Sequence, residues 1–308
     1  MCMIDILMAT YNGGSFLREQ LDSIINQTYS NWRLLIRDDG SSDGTVELVK
    51  TYAYKDKRIH LVEDTVICGS PESNFMRLLL FSSSEYVCFC DQDDIWLKDK
   101  LVLMLECIKR RDNSRPQLLF SDGFLYYGEQ RNDLPRLLKA RPRQLHEALF
   151  CNGGIHGSLS MFNAAMRTEM LRKYNHIAMH DHLLTLIGCA NHAVTYLEIP
   201  TFYYRQHLNN VTPHMASRLF RRILNAFTVN KKRCVVDKDY YLGVKAFYDE
   251  YINELSPKDR KVVEIYLDLP NRSPLVRFMS IVKNGFSLNN SRMNLLLKVL
   301  LKKYISFL

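Results

Sequence analysis

The 308-residue chain has no C-x-x-C pair. Its eight cysteines, Cys2, Cys68, Cys88, Cys90, Cys107, Cys151, Cys189 and Cys234, are scattered, several of them inside apolar runs. A free thiol in such a run packs as a small hydrophobe. The scatter argues against a zinc site or a disulfide framework and for a reducing compartment. No apolar run reaches the roughly 18 residues that a bilayer-spanning helix needs. The N-terminus enters "MIDILMAT" without the charged and long apolar regions of a signal peptide. Internal repeats and low-complexity segments are also missing.

What the chain does have is apolar residues, 47% of the total, enough for one large domain with an appendage or for two modest domains. Its net charge of +8 is unevenly spread. Residues 1–214 hold 23 Lys/Arg against 25 Asp/Glu, and residues 215–308 hold 18 against 8. A near-neutral body thus carries a basic tail. Such a tail suits anionic lipid or nucleic acid, and it equally suits a solvated helical face.

The first hundred residues alternate two periodicities. "IDILMAT" (4–10), "WRLLIRD" (32–38), "RIHLVE" (58–63) and "YVCFC" (86–90) read as strands. "FLREQLDSIINQ" (16–27), "TVELVKTYAY" (45–54), "ESNFMRLLLF" (72–81) and "LKDKLVLMLECIKR" (97–110) read as helices, the second capped by Ser42 or Asp43. This order predicts an α/β fold with a mostly parallel sheet and helices on both faces. Ligands of such sheets bind beyond the carboxyl ends of the strands. At those ends stand Thr10-Tyr11-Asn12, Asp38-Asp39 and Asp91-Gln92-Asp93-Asp94. Polar groups from three strands converge on one rim.

Carboxylates packed this closely do not all stay ionised without a cation. Hard oxygen ligands suit Mg²⁺ or Mn²⁺, ions that also hold phosphate oxygens. One or two of these acids plus a substrate diphosphate would complete such a site. Asp93 or Asp94 also suits a plain helix-capping role, since acids are favoured at helix N-termini.

The chain resembles the family-2 inverting glycosyltransferases of the nucleotide-sugar-binding GT-A fold. The resemblance rests on "MATYNGGSFLREQLDSIINQTY" (8–29), "RDDGSSDGT" (37–45), "DQDDIW" (91–96), "HDHLL" (180–184) and "YRQHLNNVT" (204–212), and covers about residues 3 to 212. The "DQDDIW" and "YRQH-x-N-N" wording is similar to a rhamnosyltransferase-like branch that builds bacterial capsule, O-antigen and cell-wall polysaccharide. The resemblance implies that Thr10, Tyr11 and Asn12 border the base and ribose. It implies that Asp39 accepts the N3–H of uracil or thymine, and that Asp91 holds the ribose or a metal water. Asp93 matches the metal-binding acid of the D-x-D motif, and His207 a histidine near the metal or diphosphate. Asp181 matches the base position, where an N-cap role is the alternative. Arg205 is expected to neutralise phosphate. In the glycine-rich stretch "CNGGIHGSLSMFN" (151–163), Gly153 and Gly154 face acceptor and donor sugar, or else form an ordinary tight turn. No G-K-[ST] follows, so this is not a phosphate-cradling loop. The Q-x-x-R-W motif of processive synthases is missing, which favours one sugar per encounter.

The tail contributes two basic amphipathic patterns. In "SRLFRRILNAF" (217–227), Leu219, Phe220, Ile223, Leu224 and Phe227 share a face. In 292–308, Met293, Leu296, Leu297, Leu300, Leu301, Tyr304 and Leu308 oppose Lys298, Lys302 and Lys303. This is the pattern of an interfacial membrane anchor, with packing on the body or a homodimer as alternatives. The expected organisation is a catalytic domain, 1–214, with a nucleotide-sugar half to about 115 and an acceptor half after it. A basic helical region, 215–308, completes the chain. The expected partners are a dTDP- or UDP-sugar, with rhamnose the first sugar to try, a lipid-linked saccharide acceptor, and the inner face of the cell membrane. A nucleotidyltransferase of similar fold would carry a Gly-rich loop with Arg and Lys after the first strand, where this chain has "TYNGGSFL". A nucleic-acid binder would place aromatics among basic loops, whereas the tail keeps them on apolar faces.

Overall fold

A computed structural model describes residues 2–128, 133–151, 154–207, 234–289 and 291–305. Eight strands form one sheet in the order β3-β2-β1-β4-β7-β6-β8-β5. They are β1 (Ile4–Thr10), β2 (Trp32–Asp38), β3 (Ile59–Leu61), β4 (Tyr86–Cys90), β5 (Ile95–Trp96), β6 (Leu118–Tyr126), β7 (Ser160–Asn163) and β8 (Val194–Arg205). The first four run parallel, with Thr10 opposite Asp38 and Met8 opposite Cys90. That register brings the carboxyl ends of β1, β2 and β4 to one edge. β4 and β7 are almost wholly buried, as strands covered on both faces must be.

The helices of the body are α1 (Leu17–Ile25), α2 (Thr45–Lys55), α3 (Pro71–Leu79), α4 (Lys100–Ile108), α5 (Leu145–Ala148), α6 (Ala164–Met170) and α7 (His180–Ala190). α1 buries Leu17, Leu21 and Ile24, the spacing that predicted it. α4 begins three residues later than its pattern suggests, because Leu97 N–H donates to the Thr201 carbonyl at 2.8 Å. The expected cap on α2 is displaced: Gly44 occupies that position with φ +88°, and Asp43 accepts from the Thr45 amide and hydroxyl from one residue further out.

β8 lies between β6 and β5. It runs parallel to β6, with Tyr126 opposite Arg205, and antiparallel to β5, with Ile95 opposite Tyr203. Arg205 therefore arrives beside the Asp93-Asp94 turn.

Past the body, α8 (Lys238–Tyr251), α9 (Pro257–Asp268), α10 (Pro274–Lys283) and α11 (Arg292–Leu301) follow. They share the hydrophobic core of the body through Val244, Phe247, Val263, Tyr266, Ile281 and Leu295. Phe150 meets Tyr266 edge-on at 5.2 Å and Phe286 at 5.4 Å. In α11 the buried face is Leu295 and Val299, while Met293, Leu297, Leu300 and Leu301 are exposed. Tyr304, expected on that outer face, is buried instead, because the chain turns inward after α11 and the Val236 amide donates to the Tyr304 carbonyl. The 217–227 pattern and Leu308 lie outside the described residues. Among those residues, no helix is long and apolar enough to cross a membrane.

Candidate active site

A cavity of about 450 Å³ opens at the carboxyl edge of β1, β2 and β4. Of the residues singled out in the sequence, Thr10, Tyr11, Asp39, Asp91, Asp93, Gly154 and Asp181 line it. Asn12, Arg205 and His207 stand outside its wall, and Gly153 lies outside the described residues.

One wall is built around a buried arginine. Arg37 donates to Asp64 at 2.9 Å, Asp39 at 3.2 Å and Asn74 at 2.8 Å. Asp39 Oδ1 also accepts from the Cys68 amide, and Oδ2 from the Gly69 amide at 2.7 Å. A carboxylate offers about four lone-pair sites, so roughly one remains for a ligand donor. Thr10 donates to Asp38 at 2.8 Å. Tyr11 is locked through its backbone, which exchanges two 3.0 Å hydrogen bonds with the Gln92 amide group. Asn12 is left-handed at φ 47°, and its side chain accepts from the Ser42 amide at 2.9 Å. It therefore braces the β2–α2 turn.

The acid cluster forms the facing wall. Asp91 accepts from the Ser158 hydroxyl at 2.6 Å. Burial, then the charge of Asp93, push its carboxyl up to about 6 against the opposing Ser158 bond. Asp94 is fully buried and also raised, by burial first, and its Oδ2 has no hydrogen-bond partner among the described residues. Lys100 lies beneath, donating to the Ser158 carbonyl at 2.7 Å, and burial lowers its ammonium to about 8. Asp93 Oδ2 is 2.8 Å from His207 Nε2, and His207 stacks on Phe16. Arg205 donates to the Asp93 carbonyl at 2.9 Å and to Glu19. Its guanidinium thus anchors the Asp93 turn from behind. The carboxylate oxygens suit Mg²⁺ or Mn²⁺. Among the described residues no group of three or more His, Cys, Asp or Glu gathers as a finished metal centre. The set fits the mode in which one or two side chains and substrate phosphates share the ion.

Asp181 opens α7 at the third side of the cavity. The Gly157 and His182 amides favour the charged form of its carboxylate, yet Oδ1 is buried with no hydrogen-bond partner among the described residues. Burial, followed by the charge of Asp91, holds this carboxyl well above the usual range. Its neighbours supply no cation. Burial lowers His180 to about 3 and His182 to about 4, so both stay neutral. His180 is stacked on Phe75 at 4.1 Å. Gly154 adopts φ +66°, and a Cβ there would lie 2.8 Å from the Asp181 carbonyl and from His182 Cα. Glycine is thus required where this loop crosses the start of α7.

Sequence reasoning missed Tyr240. It comes from α8, lines the cavity and stands edge-on to His182 at 5.0 Å. Burial, then the Asp181 charge, raise its phenol to about 12. No motif surrounds it, and only tertiary packing brings it to Asp181. Asn74 and Phe75 were missed too, although Ser70-Pro71 marks their helix start.

The chain is similar to known proteins in sequence and in fold. The "dTDP-rhamnosyl transferase RfbG" of Shigella flexneri is 29% identical over 216 residues, covering 66% of this chain and 72% of that protein. The "UDP-Glc:alpha-D-GlcNAc-diphosphoundecaprenol beta-1,3-glucosyltransferase WfgD" of Escherichia coli is 31% identical over 112 residues, 36% of this chain and 43% of that one. In fold, the chain is similar to S. aureus TarS 1-349 in complex with UDP-GlcNAc, with a TM-score of 0.58 and 14% identity, covering 96% of this chain and 90% of that one. It is also similar to the mannosyltransferase PcManGT from Pyrobaculum calidifontis, in complex with GDP-Man and Mn²⁺, with a TM-score of 0.53, 19% identity, and 91% and 73% covered. The model of "Glycosyl transferase family 2" matches residues 5–174, more than half of the chain, and with its strands, rim acids and cavity in that order the chain belongs to glycosyl transferase family 2.

Proposed function

We propose that the chain is an inverting, divalent-metal-dependent glycosyltransferase. It moves one sugar per encounter from a UDP- or dTDP-sugar to a hydroxyl of a lipid-linked saccharide in bacterial surface-polysaccharide synthesis. The observation that carries this is the sharing of one cavity by Asp39, by the Asp91–Asp93 pair and by Asp181, each from a different element. The names of the Shigella and E. coli relatives support a nucleotide-sugar donor and a lipid-linked acceptor. Residues 1–214 would carry the chemistry, and 215–308 would support it as a helical region.

In this reading Asp39 accepts the N3–H of a pyrimidine with its remaining lone pair and disfavours bases without that donor. Thr10 and Tyr11 border the nucleoside, and Asp91 holds the ribose. Asp93 and His207 would hold the ion, which when bound offsets the charge on the departing diphosphate. Asp181 takes the proton of the acceptor hydroxyl. The acceptor oxygen then forms its bond to the anomeric carbon from the face opposite the diphosphate, and the bond to the diphosphate breaks with its electron pair on that group. The raised pKa makes Asp181 a stronger base than an exposed carboxylate. Arg205 is a positioning residue for Asp93, and Tyr240 offers an aromatic wall beside the base for the acceptor.

The test is a donor screen. The protein is incubated with Mg²⁺ or Mn²⁺ and a panel of nucleotide sugars, and melting and slow donor hydrolysis are followed. A UDP or dTDP series should raise Tm only with metal, by about 2.7 kcal/mol of stabilisation at a hundredfold excess over Kd. Equal protection in EDTA, or equal protection by purine nucleotides, would overturn the metal or the base assignment.

A further inference from the structure

We propose that α10 and α11 form a two-helix foot that seats the protein on an anionic lipid bilayer. The inference is independent of which sugar is transferred. Each helix is apolar on two sides. The inner sides, with Ile281 on α10 and Leu295 and Val299 on α11, are buried in the core. Holding a helix on a protein body requires only that side. The outer sides keep Leu275, Met279 and Val282 on α10 and Met293, Leu297 and Leu300 on α11 exposed, with Leu275 at 70% and Leu300 at 62%. The two helices pack against each other, which sets the two exposed apolar faces on neighbouring elements. Monomeric soluble proteins rarely expose large contiguous apolar patches, and those that exist mark interaction sites.

Charge decides between occupants. From Leu269 to the end of the chain there are seven Lys and Arg and no Asp or Glu; Arg272 is paired with Asp268 and Arg277 is tied to the Leu269 and Pro270 carbonyls, which leaves Lys283, Arg292, Lys298, Lys302 and Lys303 to set the charge of this region. Lys283, Arg292 and Lys303 are exposed. A second copy seated by the same patch would bring two such cationic rims together, and like charges in apposition oppose association. A nucleic acid would satisfy the cations but leave the aliphatic side chains facing a phosphate backbone. An anionic bilayer meets both demands: the aliphatic side chains enter the headgroup–acyl boundary, and the cations lie among lipid phosphates. The bond is reversible, since neither helix spans the bilayer.

Cosedimentation of the full chain with vesicles tests the proposal, without nucleotide or acceptor, so that failure of the transferase reading would not affect the outcome. Vesicles of phosphatidylglycerol and phosphatidylcholine are compared with phosphatidylcholine alone, at low and high salt. Wild type should prefer the anionic vesicles, and the preference should shrink with salt. The double variant Met279→Glu/Leu300→Glu should lose at least tenfold in vesicle affinity. The variant Lys283→Gln/Arg292→Gln/Lys303→Gln should lose about tenfold or more on anionic vesicles only. Both variants change exposed side chains, so Tm and the nucleotide-induced Tm shift should match wild type. Equal binding of wild type to neutral vesicles, wild-type affinity in the Glu variant, or a self-association by sedimentation velocity that the Glu variant abolishes would each overturn it.

Discussion

Two buried acid sites sit at opposite ends of the same parallel strands. At the amino end of β1, Asp5 is saturated. Arg33 donates to both of its oxygens at 3.0 Å, and Ser82, Ser83 and Ser84 supply four more bonds. Burial alone would raise its carboxyl, but Arg33 and the serines outweigh burial and bring it below the ordinary range. At the carboxyl end, Asp94 and Asp181 each keep one buried oxygen without a partner among the described residues, and both are raised. Asp5 and Asp94 are equally buried and Asp181 is somewhat less so, so the difference between Asp5 and Asp94 lies in donors. A saturated acid stabilises the fold, whereas an unsaturated one costs stability until a proton, cation or substrate arrives.

The largest effect should come from the unsaturated end. Asp181→Asn keeps the shape and removes the base, so transfer should slow by about 10²–10⁴. The nucleotide-induced Tm shift should remain. Near-normal turnover with a competent acceptor would put the base elsewhere.

Asp5→Ala should act in the opposite sense. Leaving Arg33 and three serines without their acceptor should cost about 3–5 kcal/mol in urea unfolding. Nucleotide affinity of the folded fraction should be unchanged. A selective loss of nucleotide binding would show that the two ends are coupled through β1.

A smaller loss is expected at the loop that frames Asp181. Gly154→Ala needs a strained φ and a backbone shift against α7, at about 1–3 kcal/mol. Because the strain falls on the Asp181 peptide, kcat should drop more than nucleotide affinity. An unchanged Tm would mean that the loop relaxes freely.

The smallest and most discriminating effect is the sign of the pH dependence. Asp181 is raised in the fold, so its contribution to stability is greatest below its unfolded pKa of about 3.9 and declines as pH rises through the folded value. Asp181→Asn should therefore gain in Tm relative to wild type between pH 4 and neutrality. Asp5 is lowered, so its contribution is present above about 3.9 and declines as pH falls through its folded value. The Tm deficit of Asp5→Asn should thus narrow in acid. Parallel curves for the two variants would refute the contrast.

Much of this was legible in the sequence because strands covered on both faces appear as unbroken apolar runs. Where such a run stops at acids, as Cys90 does at Asp91, the run's end locates the rim. Asp39, Asp91, Asp93 and Asp181, which line the cavity, were singled out that way or through the motifs around them. Lys100 was not, since nothing local distinguishes a lysine destined for burial from one in a solvated "LKDK". His180 and His182 looked like polar flanks of a base, yet Phe75, Phe89 and Tyr240 enclose them. Tyr240 and the inward turn at Tyr304 depend on contacts far apart in sequence, which periodicity does not record. The outer face of α11 was legible as apolar, but the second apolar face at Leu295 and Val299 became separable from it only in three dimensions.

The margins of the sheet carry a consequence for solubility. β3 and β5, the outermost strands, have three and two residues. An unpaired strand edge templates pairing with another chain, and very short edge strands are one protection against it. Copies gathered on a single surface meet at far higher local concentration than copies in bulk. At β3 and β5 themselves, these copies offer one another little backbone on which to begin a cross-β aggregate.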